Sequence, residues 1–250
     1  MTARRNIVFG WVAAIVLAAG FASLGAWQQG RADEKRVVIA QAAAVLEARD
    51  AVPLAAASDP DRVDRLEWSA GSGRFVDVGP FLLDNQRHDG RVGVRAYRVF
   101  APEGAPDALL VDLGWLPLGP GRAMPEVPLP DGVVEVRGLL ATPPSPGLRL
   151  GTGIAQAGEG WLLTRVEPQA IAAAAGLARP LAPRVLRLDP ALPFGHARDL
   201  EVLPNTLPPE RHLGYAVQWF GLALTVLATA ILLTFRSLRG RRARHRQGRP

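Results

Sequence analysis

The chain has 250 residues, 48% of them hydrophobic, a formal net charge of +6 and no cysteine. That excludes disulfides, zinc–thiolate sites, iron–sulfur clusters and thiol catalysis. Nine of the 29 basic residues lie before residue 27 or after Phe235, where there is no acid; the 20 that remain face all 23 acidic ones. The middle is therefore slightly acidic, and the basic ends read as a topology signal rather than a nucleic-acid surface.

Residues 1–6 form a short basic N-terminus. "IVFGWVAAIVLAAGFASLGAW" (Ile7–Trp27) is 21 residues without a charge, and "LGYAVQWFGLALTVLATAILLTF" (Leu213–Phe235) is 23. A bilayer core takes roughly 20 helical residues, so each is long enough to span. Small residues near the end of the first (Gly20, Ala22, Ala26) also suit a cleaved signal peptide, but its apolar run exceeds a signal h-region and favours an uncleaved anchor. Arg-rich ends stay in the cytoplasm, which predicts a two-span protein with both termini cytoplasmic and residues 28–212 across the membrane. That far side is the periplasm in a Gram-negative bacterium, or the mitochondrial intermembrane space in an organellar relative; the Arg-rich, Ala/Gly/Pro-rich composition suggests a GC-rich bacterial genome and hence the bacterial inner membrane. Ala14, Ala18, Ala22 and Ala26 on the first span, and Gly214, Gln218, Gly221 and Thr225 on the second, are candidate packing stripes; small residues let helices approach in lipid.

Arg31–Asp50 reads as a helix continuing from the first span, with Val38, Ala42 and Val45 at i, i+4, i+7 and a stop at Pro53 and Ser58–Asp61. Strands are predicted over Gly73–Gly79, Gly93–Ala101, Ala108–Leu116, Gly132–Leu140, Gly160–Val166, Pro183–Asp189 and Arg198–Pro204, where apolar residues alternate or cluster between Gly and Pro. Pro117–Gly132 has the length of a hairpin loop. One short helix fits Glu167–Leu177. The expected fold is α+β: two transmembrane helices flanking an antiparallel β-rich extracytoplasmic domain, a distorted barrel or a sandwich, with one or two helices. A basic tail follows over 236–250.

No HExxH, GxSxG, GxGxxG or P-loop pattern occurs. His88 and His196 sit in loop-like stretches and read as solvated, His245 belongs to the basic tail, and the carboxylate pairs Asp61/Asp64 and Asp131/Glu135 read as surface. His212 differs, because it stands at the outer threshold of the second span. Tyr215 and Trp219 follow it at i+3 and i+7, on what helical periodicity makes one face. Trp27 and Gln28 end the first span at the same depth. An aromatic belt accounts for Trp27 and Tyr215 as well as a site does. For Gln218 a hydrogen bond between helices competes equally with a binding role. A neutral imidazole is a good axial ligand for haem iron, and one histidine suits a haem held briefly and passed on. The candidate site is His212, as iron ligand, with Trp27, Gln28, Tyr215, Gln218 and Trp219.

Three motifs carry a family resemblance. "LGAWQQGRADEK" (Leu24–Lys35) resembles the LGxWQxxRxxxK element of the SURF1 (Shy1) family. "FLLDNQRHDGRVGVRAYRVFAP" (Phe81–Pro102) with "LLVDLGWLP" (Leu109–Pro117) resembles its central block, and "HLGYAVQWFGLA" (His212–Ala223) its H-x-x-YAxQWF element. Asp112-Leu113-Gly114-Trp115 departs from the family's usual NRGW. The resemblance implies a non-enzymatic assembly factor for haem–copper cytochrome c oxidase that handles haem a during maturation of subunit I. The partners so implied are subunit I, haem a synthase and membrane lipid, with no nucleic acid. It maps the family's span histidine onto His212 and its tryptophan–glutamine pair onto Trp27 and Gln28. Two other readings remain open: a scaffold holding an assembly intermediate without touching haem, and a membrane enzyme acting on lipid or quinone.

Overall fold

A computed structural model of the chain describes residues 2–144, 151, 153–202 and 206–247, with backbone alone at 2–4 and 241–247. It divides into two compact units, Met1–Ile39 with Thr206–Pro250, and Ala40–Asn205.

The first unit is built from two helices. Helix α1 runs from Thr2 to Ala48, carrying the first apolar run and the predicted extension in one piece. It ends at Arg49, whose φ of 49° is left-handed and whose N–H bonds back to the Val45 carbonyl. The stop therefore falls four residues before Pro53. Helix α3 covers Pro209–Gln247. The shorter α2, Pro168–Ala174, belongs to the second unit. Both α1 and α3 are long and apolar enough to cross a membrane, with mean hydropathies of 2.3 and 2.0 in their best windows.

Among its described residues the second unit holds nine strands: β1 Val52–Pro53, β2 Glu67–Phe75, β3 Phe81–His88, β4 Arg91–Pro102, β5 Ala108–Pro117, β6 Val134–Ala141, β7 Ile154–Ala157, β8 Gly160–Leu163 and β9 Leu181–Leu188. Their order is β1-β2-β6-β9-β5-β4-β3-β8-β7, with a further pairing of β2 to β4. That pairing closes β2, β6, β9, β5 and β4 into a five-stranded ring. β2 changes partner at Gly73, which sits opposite both Val134 and Pro102. A Cβ at Gly73 would lie 2.3 Å from the Ala101 carbonyl oxygen, so only glycine fits that close approach.

The expected antiparallel domain is corrected to a mixed one. β1–β2, β3–β8 and β5–β9 are parallel. The Pro117–Gly132 loop is not a hairpin loop, since β9 lies between β5 and β6. β3 replaces part of an expected polar turn; the turn itself is only Asp89–Gly90, with both φ positive, as a tight hairpin requires. β2 starts at Glu67 and stops at Phe75, ahead of the predicted Gly79. From Arg198 to Val202 there is no strand, and the rest of that predicted element lies outside the described residues.

Two cores follow from the closure. Val94, Ala96, Phe100, Leu109, Val111, Val136, Leu140 and Leu186 fill the ring. The opposite face of β4, β5 and β9 (Tyr97, Val99, Leu110, Val185) packs with Phe81, Leu163 and Ile171 of α2 (Pro168–Ala174). One end of the ring is tied by Arg184, fully buried, which reaches the Glu67 carboxylate at 2.7 Å and the carbonyls of Arg65 and Leu140.

The interhelical seam and its buried histidine

Three contacts set the register of α1 against α3. Trp11 Nε1–H donates to Thr234 Oγ1 at 3.0 Å. The Phe21 and Trp219 rings stack with centroids 5.7 Å apart. His212 Nδ1 meets Gln28 Oε1 at 2.7 Å.

On α1 the covered residues Ile7, Trp11, Ala14, Ala18, Phe21, Gly25, Gln28 and Ala32 form a row in steps of four and three, and on α3 so do Pro209, His212, Ala216, Trp219, Ala223, Val226 and Ala230; Ala22, Leu213 and Leu227, also partly covered, flank these rows. This is the 3.5-residue period of two helices packed side by side. Ala14 and Ala18 belong to the seam as expected, whereas Ala26 is exposed. The second predicted stripe is corrected: Gly214, Gln218, Gly221 and Thr225 are all exposed, and added Cβ atoms at Gly214 and Gly221 would touch nothing. Thr225 Oγ1 is spent on the Gly221 carbonyl of its own helix.

His212 is therefore a seam residue, 8% exposed. Its Nε2 is buried and has no hydrogen-bond partner among the described residues. Lys35 and Arg31 lie near enough for their charge to act on the ring. Lys35 Nζ also donates to the Leu207 carbonyl, just ahead of α3. Trp219 shares the seam with His212. Tyr215 does not: it is 38% exposed, and Trp27 is 58% exposed. Gln218 makes no hydrogen bond to α1 among the described residues, so the predicted face His212–Tyr215–Trp219 reduces to His212 and Trp219. Sequence reasoning missed Phe21, Gly25 and Lys35. The four-three alternation on α1 was the signal that finds the first two. Nearer the other end the helices leave a groove of about 600 Å³ lined by Trp11, Ala14, Leu17, Val226, Ala230 and Thr234.

The histidines of the second unit are differently placed. His88 is not simply solvated: its ring lies 5.4 Å from that of Trp115, and its nitrogens are 3.6 Å from Asp89 and Asp199. His196 lines a cleft of about 310 Å³ with Leu113, Pro128, Leu129, Pro130, Phe194 and Gly195. Burial, and then the charge of Arg198, hold its imidazole below the ordinary histidine range. No group of three or more His, Asp or Glu among the described residues is placed to hold a metal ion.

A closed, helix-buttressed β-domain and two apolar helices fit a membrane protein. The SURF1 family model matches residues 15–224, and the chain belongs to the SURF1 family, whose members are assembly factors for cytochrome c oxidase. No curated protein matches the chain.

Proposed function

We propose that the chain is a carrier, without catalysis of its own, that takes haem a at the His212 end of its helix pair and delivers it to subunit I of the oxidase. The observation that carries this is His212 Nε2, a ligand-competent nitrogen held in the seam with no partner among the described residues. A buried polar atom left unsatisfied costs free energy, so its retention asks for a function. Bound there, iron would gain one imidazole ligand. Neither helix holds a second histidine, cysteine or methionine between Thr2 and Gly240. A single axial bond suits cargo that must leave again. The charge asymmetry supports cytoplasmic termini in a bacterial inner membrane, with the β-domain on the far side; membership of the family is what suggests haem a synthase as the donor.

A second reading has its own support. Nε2 is shut off from solvent, and Trp27, Tyr215 and Gln218 do not gather round it, as would suit a scaffold that holds subunit I without haem. Purification from cells making haem a separates the two. The carrier gives a haem a absorption band that His212→Ala abolishes and His88→Ala and His196→Ala retain. A colourless wild-type protein that still cross-links to subunit I establishes the scaffold.

A further inference from the structure

Gln28 enters the candidate site as a ligand-binding residue. The geometry assigns it a different role. We infer that Gln28 is a positioning residue: its carboxamide oxygen takes the Nδ1 proton of His212 and so leaves the lone pair on Nε2 as the ligating edge of the ring. The ligand part of this rests on the haem reading; the tautomer part does not.

The position of one proton decides the role of the ring. A neutral imidazole has one N–H and one lone pair, and the partner of one nitrogen decides the role of the other. Nδ1 has a partner at 2.7 Å and Nε2 has none among the described residues. Were the proton on Nε2, the structure would bury an N–H donor with nothing to receive it. With the proton on Nδ1, it buries an unused acceptor. Orphaned N–H groups are the rarer and costlier of the two in folded proteins. The orphaned Nε2 selects the second arrangement, and in it the Gln28 amide oxygen is the acceptor for the Nδ1–H. A donor to the Gln28 oxygen also strengthens the basicity of the opposite nitrogen, as hydrogen-bonded partners of metal-ligating histidines do.

Two consequences follow. Gln28 Oε1 is occupied by the ring, so through that oxygen Gln28 acts on His212 rather than on the ligand. And the ring is preset by the chain itself, because both partners of the hydrogen bond belong to it. Free histidine in water prefers its proton on Nε2, so the seam holds the less common form.

The test uses the full chain in detergent micelles with ¹⁵N-labelled histidine. Its four histidines give separable ring signals, and His212→Asn identifies the one at issue. The expected result is a neutral ring with a protonated Nδ1 and an unprotonated Nε2. Gln28→Leu should shift that signal toward the Nε2-protonated form and weaken haem a binding by about 10-fold or more. Gln28→Glu should keep the tautomer, restore binding and lower the reduction potential of the bound haem. A wild-type ring protonated on Nε2 overturns the inference, as does a Gln28→Leu chain with an unchanged tautomer. If the tautomer is as expected and no haem is taken up, the carrier reading fails while the role of Gln28 in setting the ring stands.

Discussion

Asp112 and Arg95 face each other across β5 and β4 at 2.8 Å, both almost wholly buried. The pair sits at a bulge: Ala96 is opposite Gly114 and Tyr97 opposite Asp112, which leaves Leu113 extra. Asp112 Oδ1 accepts the Gly114 N–H at 3.0 Å, and Arg187 lies 3.9 Å from Oδ2. Burial works against the charge on Arg95, but Asp112 more than compensates and raises its pKa. Position 112 is where the family resemblance breaks, with Asp in place of the usual Asn. Here the carboxylate is the counter-charge for two buried guanidinium groups. Asp112→Asn preserves the shape and removes that charge. It should destabilise the full chain by about 3 kcal/mol, read as a lowered denaturation midpoint in micelles.

Acid sensitivity should trace to two other carboxylates. Burial raises the pKa of Glu67, but hydrogen bonds from Arg184 and Arg62 outweigh it and hold the group below its ordinary 4.5. For Asp189 burial is likewise outweighed, by Arg137, the Ala191 N–H and Arg49, and the group lies below 3.8. A folded-state pKa below the unfolded one adds stability that is complete above the unfolded value and is lost as pH falls through the folded one. The thermal midpoint should therefore drop as pH falls from about 5 toward 3. Glu67→Gln should lower the midpoint near neutrality and make that acid limb shallower.

Much of this was legible in the chain itself. Two long uncharged runs locate the helices because hydrocarbon tolerates so few charges. Alternation locates six of the nine strands, since the side-chain period in a sheet is two. Alternation says which face a residue takes, not which strand lies beside it, so the three parallel pairings and the ring closure were hidden. β3 was hidden too, because its bulge between Leu83 and Gln86 breaks the period within a polar stretch. His212 stood out chemically. Its neighbours were misassigned by angle: at about 100° per residue Trp219 returns to the His212 direction, Tyr215 falls about 60° short and Gln218 about 120° away. The small-residue stripe on α3 failed because the seam admits large rings, with Phe21 and Trp219 stacked inside it.

Gly114 should tolerate no side chain. Its φ is 112°, and a Cβ there would come within 2.8 Å of the Ala197 carbonyl oxygen and 2.9 Å of that of His196. Those carbonyls belong to a segment stitched to the bulge: His196 N–H donates to the Leu113 carbonyl and Trp115 N–H to that of Ala197, each at 2.7 Å. Backbone oxygens so held have little room to yield. Gly114→Ala should cost about 2 kcal/mol or more, from the strained conformation and the broken stitch together. Loss of amide-exchange protection at His196 and Trp115 in the variant would show the stitch opening; unchanged protection would refute the account.

The seam itself can be read by cross-linking, which a chain with no cysteine makes clean. Ala18 and Ala223 are both buried seam residues. Ala18 lies between Trp11 and Phe21 on α1, and Ala223 between Trp219 and Thr234 on α3, so the contacts of those four residues bring the two alanines to matching heights. The double variant Ala18→Cys/Ala223→Cys should form a disulfide under mild oxidation in membranes and shift on a non-reducing gel. Gln218→Cys paired with Ala18→Cys should not, because residue 218 looks away from α1. The reverse pattern would mean that α3 is rotated by about a third of a turn, which would take His212 out of the seam and away from Gln28. The same two variants thus report on the packing of the helices and on the premise of the His212 site, without any haem being present.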